Sequence, residues 1–200
     1  MKKISRLLFV LSFVMVLVYF LPSPSEAQIY DKVLRLHVLA NSDSPEDQSL
    51  KLMVRDEILE YSKTLGEFEG VESAEETYSH ELEKIKEIAK EVIISQGYDY
   101  PVDVSLGYEY YPTRQYEDVS LPAGEYLSLK VMIGGAAGQN WWCVLYPPLC
   151  ISAASADEEL IDAGFTPEQM QIITDGESTR YKVKFKILES AKKLWNLLKK

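Results

Sequence analysis

The chain has little of what most catalytic and metal sites are made from. Its 200 residues include two histidines, His37 and His80, and two cysteines, Cys143 and Cys150. The histidines fall in separate predicted elements with no series of cysteines or carboxylates at metal-ligand spacing, so no metal is expected. There is no G-x-S-x-G elbow, and Gly176-Glu177-Ser178 lacks the strand-turn-helix context that makes a serine nucleophilic. The glycine-rich run Gly134 to Gly138 is not followed by Lys-Ser/Thr and opens no helix, which argues against a nucleotide cofactor. Asp175-Gly176 lacks the hydroxyl residue of an aspartic-protease motif. Adjacent carboxylates such as Glu75-Glu76 and Asp157-Glu158 stand at predicted helix starts, where the dipole favours them, and not across a cleft. The expectation is therefore no catalytic residue and no cofactor.

Positive charge is also scarce. Lys and Arg number 21 against 31 Asp and Glu, a net charge of −10 that makes nucleic acid an unsuitable partner. The one long hydrophobic run is at the amino terminus. Lys2, Lys3 and Arg6 precede an apolar stretch from Leu7 to Leu21, broken only by Ser12, and Ser25-Glu26-Ala27 supplies a small-x-small exit. Its 15 residues, at ~1.5 Å each, reach only ~22 Å against a hydrocarbon core of ~30 Å. Residues 1–27 thus read as a cleaved signal peptide, with an uncleaved anchor as the alternative, and 28–187 as one domain. The remaining charge is polarised: Arg180 to Lys200 carries eight basic residues against Glu189, whereas the body before it is strongly acidic. Residues 188–200 read as a basic amphipathic helix. It is a candidate for peripheral contact with an anionic membrane, unless its stripe packs onto its own domain.

Periodicity divides the body into strands and helices. Residues 33–40 (VLRLHVLA) alternate as a central or near-central strand, placing Leu34, Leu36, Val38 and Ala40 on one face and Arg35 and His37 on the other. Ser44, Pro45 and Asp47 open a helix through a capping box, with Lys51, Arg55 and Lys63 nearer the solvent. Ser73 and Glu76 predict a second box, ahead of a helix that Gly97 ends. Segments around 102–108 and 127–133 alternate as strands, the intervening 110–124 reads as an exposed loop, and 134–138 as a hairpin connection. Residues 141–146 predict another strand, 155–163 a short acidic helix, 166–173 a weaker helical turn, and 181–187 a last strand. The class is α+β, a mixed, mainly antiparallel sheet with helices packed on one face.

The most informative stretch is NWWCVLYPPLC, from Asn140 to Cys150. Trp141, Trp142, Val144, Leu145 and Tyr146 offer apolar surface to both faces before Pro147 and Pro148 end any pairing. In a strand the two tryptophans point oppositely, so one packs inside while the other covers or recognises something outside; both as core is the alternative. Export would place Cys143 and Cys150 in a compartment that permits a mutual disulfide, with two buried thiols as the alternative.

With LANSDSPEDQSLKLMVRD (Leu39 to Asp56), PAGEY (Pro122 to Tyr126) and the glycine run, in that order, this stretch resembles the stage II sporulation protein R family. The resemblance implies a secreted, non-catalytic signal of endospore formation that crosses the forespore membrane. It further implies a membrane-embedded aspartic protease as partner, whose substrate is the sigma-E precursor. The partner-binding candidates are Asn41, Asp43 and Arg55 in the first block, and Asn140, Trp141, Trp142, Tyr146, Pro147 and Pro148 in the second. A cell-wall hydrolase and a membrane-surface structural protein are the competing readings.

Overall fold

The computed structural model describes residues 2–19, 28–116, 119–150 and 156–174. The expected strand at 181–187, the helix at 188–200 and the exit at 25–27 lie outside the described residues. The amino-terminal apolar run forms helix α1 (Lys2–Tyr19). No described helix is long and apolar enough to cross a membrane.

Four strands form the main sheet: β1 (Leu34–Leu39), β2 (Val102–Tyr111), β5 (Gly124–Ile133) and β6 (Asn140–Tyr146), in the order β2-β5-β1-β6. β1 runs parallel to β5 and antiparallel to β6, and β2 runs antiparallel to β5. This is the mixed, mainly antiparallel sheet of an α+β domain. The period-2 pattern sets the faces. Leu34, Leu36 and Val38 align with Leu127, Leu129 and Val131 and face helices α2 (Pro45–Lys63) and α3 (Val71–Ser95). Leu50, Val54 and Ile58 of α2 and Tyr78, Ile85 and Ala89 of α3 complete that core at spacings of one and two turns. Each of the Leu, Ile and Val side chains in this layer, fully buried, contributes roughly 1.5–3 kcal/mol.

The second face is organised differently from the sequence expectation. Residues 110–124 are not an exposed loop. β2 continues to Tyr111, and β3 (Arg114–Tyr116) pairs antiparallel with β4 (Val119–Leu121). Tyr111, Val119 and Leu121 are fully buried beside Val33, Tyr126 and Val144. Two short helices, α4 (Ala156–Asp162) and α5 (Pro167–Thr174), add Leu160 and Ile173 to this cluster. Burial of those apolar side chains drives the ribbon onto the sheet; Pro112 and Pro122 merely flank it, outside the strands.

Three local expectations are also corrected. Gly134 to Gly138 is not a hairpin, because β5 and β6 flank β1 and the connection passes over the end of β1. Helix α3 starts at Val71 from Gly70, so Ser73 sits inside it; packing of Val71 and Ala74 on the core carries the helix back past the polar box. Lys51 is buried and not near the solvent, its ammonium donating to Gln48 Oε1 at 2.7 Å and the Gln139 carbonyl at 2.8 Å.

Candidate functional site

The sheet face away from α2 and α3 carries a connected polar track. Arg35 and His37 on β1 share it with Ser128 and Lys130 on β5, Glu109 and Tyr111 on β2, and Asn140 and Trp142 on β6. Strand register brings them together: His37 lies opposite Lys130 on one side and Trp142 on the other. Its Nδ1 is 2.8 Å from Glu109 Oε2 and its Nε2 is 2.8 Å from Asn140 Oδ1. Lys130 donates to the other oxygen of Glu109 at 2.7 Å. Burial raises the Glu109 pKa, but hydrogen bonds from Lys130 and His37 outweigh it and hold the carboxyl below its usual range.

The track grades into aromatic packing. The Arg35 guanidinium, wholly buried, lies 4.0 Å from the Tyr111 ring centre and 4.7 Å from that of Tyr126, and donates to the Tyr116 hydroxyl. Among the described residues its Nε and Nη1 have no hydrogen-bond partner, and the ring faces carry much of its compensation. Tyr111 in turn shares a 2.6 Å hydrogen bond with Ser128, and burial pushes its hydroxyl pKa well up. At the β6 side, half-buried Trp142 lies 5.4 Å from His37, and Arg114 stacks 3.8 Å over its indole. A 140 Å³ hollow beside the track is lined by Ser105, Gly107, Glu109, Ser128 and Lys130 with Leu106 and Tyr108. A wider groove of 380 Å³ lies at α2 and α3, lined by Pro45, Leu50, Met53 and Tyr98 among others, and shares no residue with the track.

The other candidates separate into two groups. Asn41 and Asp43 fix the chain crossover. Asn41 Oδ1 accepts from the Gly135 N–H at 2.8 Å, its Nδ2 donates to Asp47 at 2.8 Å, and Asp43 accepts from the Gln139 N–H at 2.7 Å. Asp47 takes part in that clasp in place of a reciprocal capping box. Ser44 does accept from the Asp47 N–H, but the Asp47 carboxylate turns to Ser42 and Asn41. The Ser42 hydrogen bond, reinforced by Asn41 and others, holds its pKa below the usual range against burial. Arg55 is a surface residue of α2 that pairs with Asp56 and lies 4.8 Å from the ring centre of Trp141.

Trp141 and Trp142 therefore do take opposite faces, and each is half-buried under an arginine. Tyr146 is buried in the helix-side core, and the bond to Pro147 is cis. Cys143 and Cys150 lie side by side with Cα atoms 6.3 Å apart, a separation that suits a disulfide. Sequence reading placed His37 and Arg35 together on one face but missed Glu109, Lys130 and Arg114. The parity of β2 marks Glu109 as facing the same way; nothing local shows which strand lies between.

Fold and site define an α+β domain with two long helices on one face of the sheet and, on the other, a polar track flanked by aromatics and partly covered by the β3-β4 ribbon and the short helices α4 and α5. The helices are thus not confined to one face as expected, because the apolar Leu160 and Ile173 bury against the second face. The family model for stage II sporulation protein R matches residues 30–156, and the chain belongs to that family. Stage II sporulation protein R of Bacillus subtilis (strain 168) is 39% identical over 123 residues, 61% of this chain. The match spans 55% of that relative's length. No solved structure matches the chain.

Proposed function

We propose that this protein is a secreted, non-catalytic signal of endospore formation that activates a membrane-embedded aspartic protease to process the sigma-E precursor. Family membership over residues 30–156 carries the reading, since that span contains the whole main sheet, α2, α3 and the polar track. The charged apolar amino terminus supports export across the forespore membrane into the intermembrane space. The basic end, residues 188–200, is a candidate for contact with the membrane surface. The polar track supports recognition over catalysis. Both His37 ring nitrogens and both Glu109 oxygens are committed to partners within the fold, which preserves a surface shape better than it serves proton transfer.

Activation requires the signal to bind the active arrangement of the protease more tightly than the inactive one, since equal affinity shifts nothing. The contact candidates that reach the surface are Asn140, Trp141, Trp142 and Pro148, with Asn41, Asp43 and Arg55; Tyr146 and Pro147 are buried and act by shaping the segment that carries them. The test is cleavage of the sigma-E precursor in non-sporulating cells making the protease, with this protein exported, withheld, or exported as Trp142→Ala. Cleavage only with the exported wild-type chain is expected. No cleavage by a folded, exported protein would overturn the reading and leave the cell-wall hydrolase as the next to examine, by turnover of isolated wall.

A further inference from the structure

The two edges of the main sheet are finished in opposite ways. At β6 the chain turns back through Pro147 and Pro148, and the Val144 N–H lies 3.3 Å from Cys150 Sγ. That edge is blunted. β2 is ten residues long and pairs with β5 in unbroken register from Val102 to Tyr111, without a bulge or a proline. Among the described residues no other strand pairs with it, and no further backbone hydrogen bond involves residues 102–111. Long regular edges attract strands, and native proteins usually guard them with lysine, proline, bulges or covering elements.

The side chains along this edge specify what it would accept. On the helix side, Val104 and Leu106 are half-buried while Tyr108 and Tyr110 are 65% and 71% exposed. On the other side stand Asp103, Ser105, Gly107 and Glu109, with the 140 Å³ hollow beside Gly107. A side chain at Gly107 would meet nothing within 4 Å, so that position is open space. Exposed acids flank the strand at Asp99, Asp103 and Glu125.

We propose that the outer edge of β2 is a strand-addition site for an extended segment of a protein partner that alternates apolar and basic side chains. Backbone hydrogen bonds supply the affinity in such a mode and alternate side chains the specificity. Apolar residues lie beside Val104, Leu106, Tyr108 and Tyr110. The intervening basic residues lie on the side of Asp103, the one over Gly107 extending past the hollow, whose Lys130 is already paired with Glu109. A second copy of this chain is a poor occupant, because it would bring the same acids to the edge, and the chain's net charge is −10. The inference concerns the manner of docking and holds whether or not the partner is a protease.

A synthetic peptide YKVKFKI serves as the probe, because its composition is of the stated kind. It is also the sequence of residues 181–187, so the chain's own segment is a competitor. Amide hydrogen exchange of residues 102–111 is read in the full chain, in Tyr108→Lys and Asp103→Lys, and in a Lys182, Lys184, Lys186→Glu triple variant. The expected result is saturable slowing of exchange in the wild type and the triple variant, with affinity at least ten-fold weaker in Tyr108→Lys and Asp103→Lys at unchanged Tm. Three results would overturn the proposal: no slowing with peptide; slow exchange in the free chain that the triple variant abolishes, assigning the edge to residues 181–187; or slow exchange that tracks protein concentration, assigning it to a second copy.

Discussion

The side chain of Asn41 fills the space that a β-carbon on Gly134 would need, and the same Asn41 oxygen accepts the N–H of Gly135. Gly134 also has φ +58°, a conformation that costs a non-glycine residue energy by itself. Gly134→Ala should therefore destabilise the fold by about 1–3 kcal/mol. Adding Asn41→Ala should recover part of the steric component in urea midpoints. A Gly134→Ala protein as stable as wild type would show that the crossover does not need this packing.

Arg35 is buried with two nitrogen groups that have no hydrogen-bond partner among the described residues, so its charge and its volume act in opposite directions. Arg35→Met keeps most of the volume and removes the desolvated charge, and should change stability by about 1 kcal/mol or less, or raise it. Arg35→Ala leaves a cavity under the tyrosines and should cost about 2–4 kcal/mol. Equal losses for the two variants would mean that charge held by the ring faces, and not volume, dominates.

Asp47 and Glu109 both titrate below their usual range in the folded state. A depressed carboxylate contributes stability that is present above its unfolded-state pKa and lost as pH falls through the folded one. Tm should hold from neutral pH down to the usual carboxylate range and drop below it. Asp47→Asn should lower the neutral plateau and flatten the acid limb. A wild-type acid limb as shallow as that of the variant would remove Asp47 from this account.

Cys143 and Cys150 are seven residues apart in sequence. If they are bridged, alkylation without reductant leaves both unmodified, while alkylation after reduction adds two groups, as mass spectrometry would read. Closing so short a loop contributes about 2.5 kcal/mol in the chain-entropy model, less to the extent that Pro147 and Pro148 already stiffen it. Full alkylation of unfolded, non-reduced protein would exclude the bridge.

What the sequence made legible follows the range of the forces involved. The faces of β1, the stripe of α3 and the opposite orientation of Trp141 and Trp142 depend on periods of 2 and 3.6, which neighbours in sequence reveal. The contact of His37 with Glu109 depends on β5 lying between β1 and β2, and strand order is not a local property. Lys51 looked solvent-facing because its partner is a carbonyl at Gln139, supplied by the distant crossover. The ribbon of β3 and β4 was hidden because its apolar residues, Val119 and Leu121, are few and stand among polar residues near two prolines.

The placement of β1 also sets an order of events. Both of its neighbours come later in the chain: Leu34 meets Leu127 on one side and Tyr146 on the other. A growing chain that has not reached Gly124 offers β1 no strand to pair with, and one that has not reached Tyr146 leaves it half-paired. The helices α2 and α3 can form by then, but their apolar stripes have no complete sheet to cover. Long-range pairing of this kind is slow to nucleate, because loop closure must be met before contacts compensate it. β6 is thus the strand that completes the sheet last, after the crossover clasped by Asn41 and Asp43 has been made, and a chain emerging from its amino end stays open until nearly all of its sheet has been made.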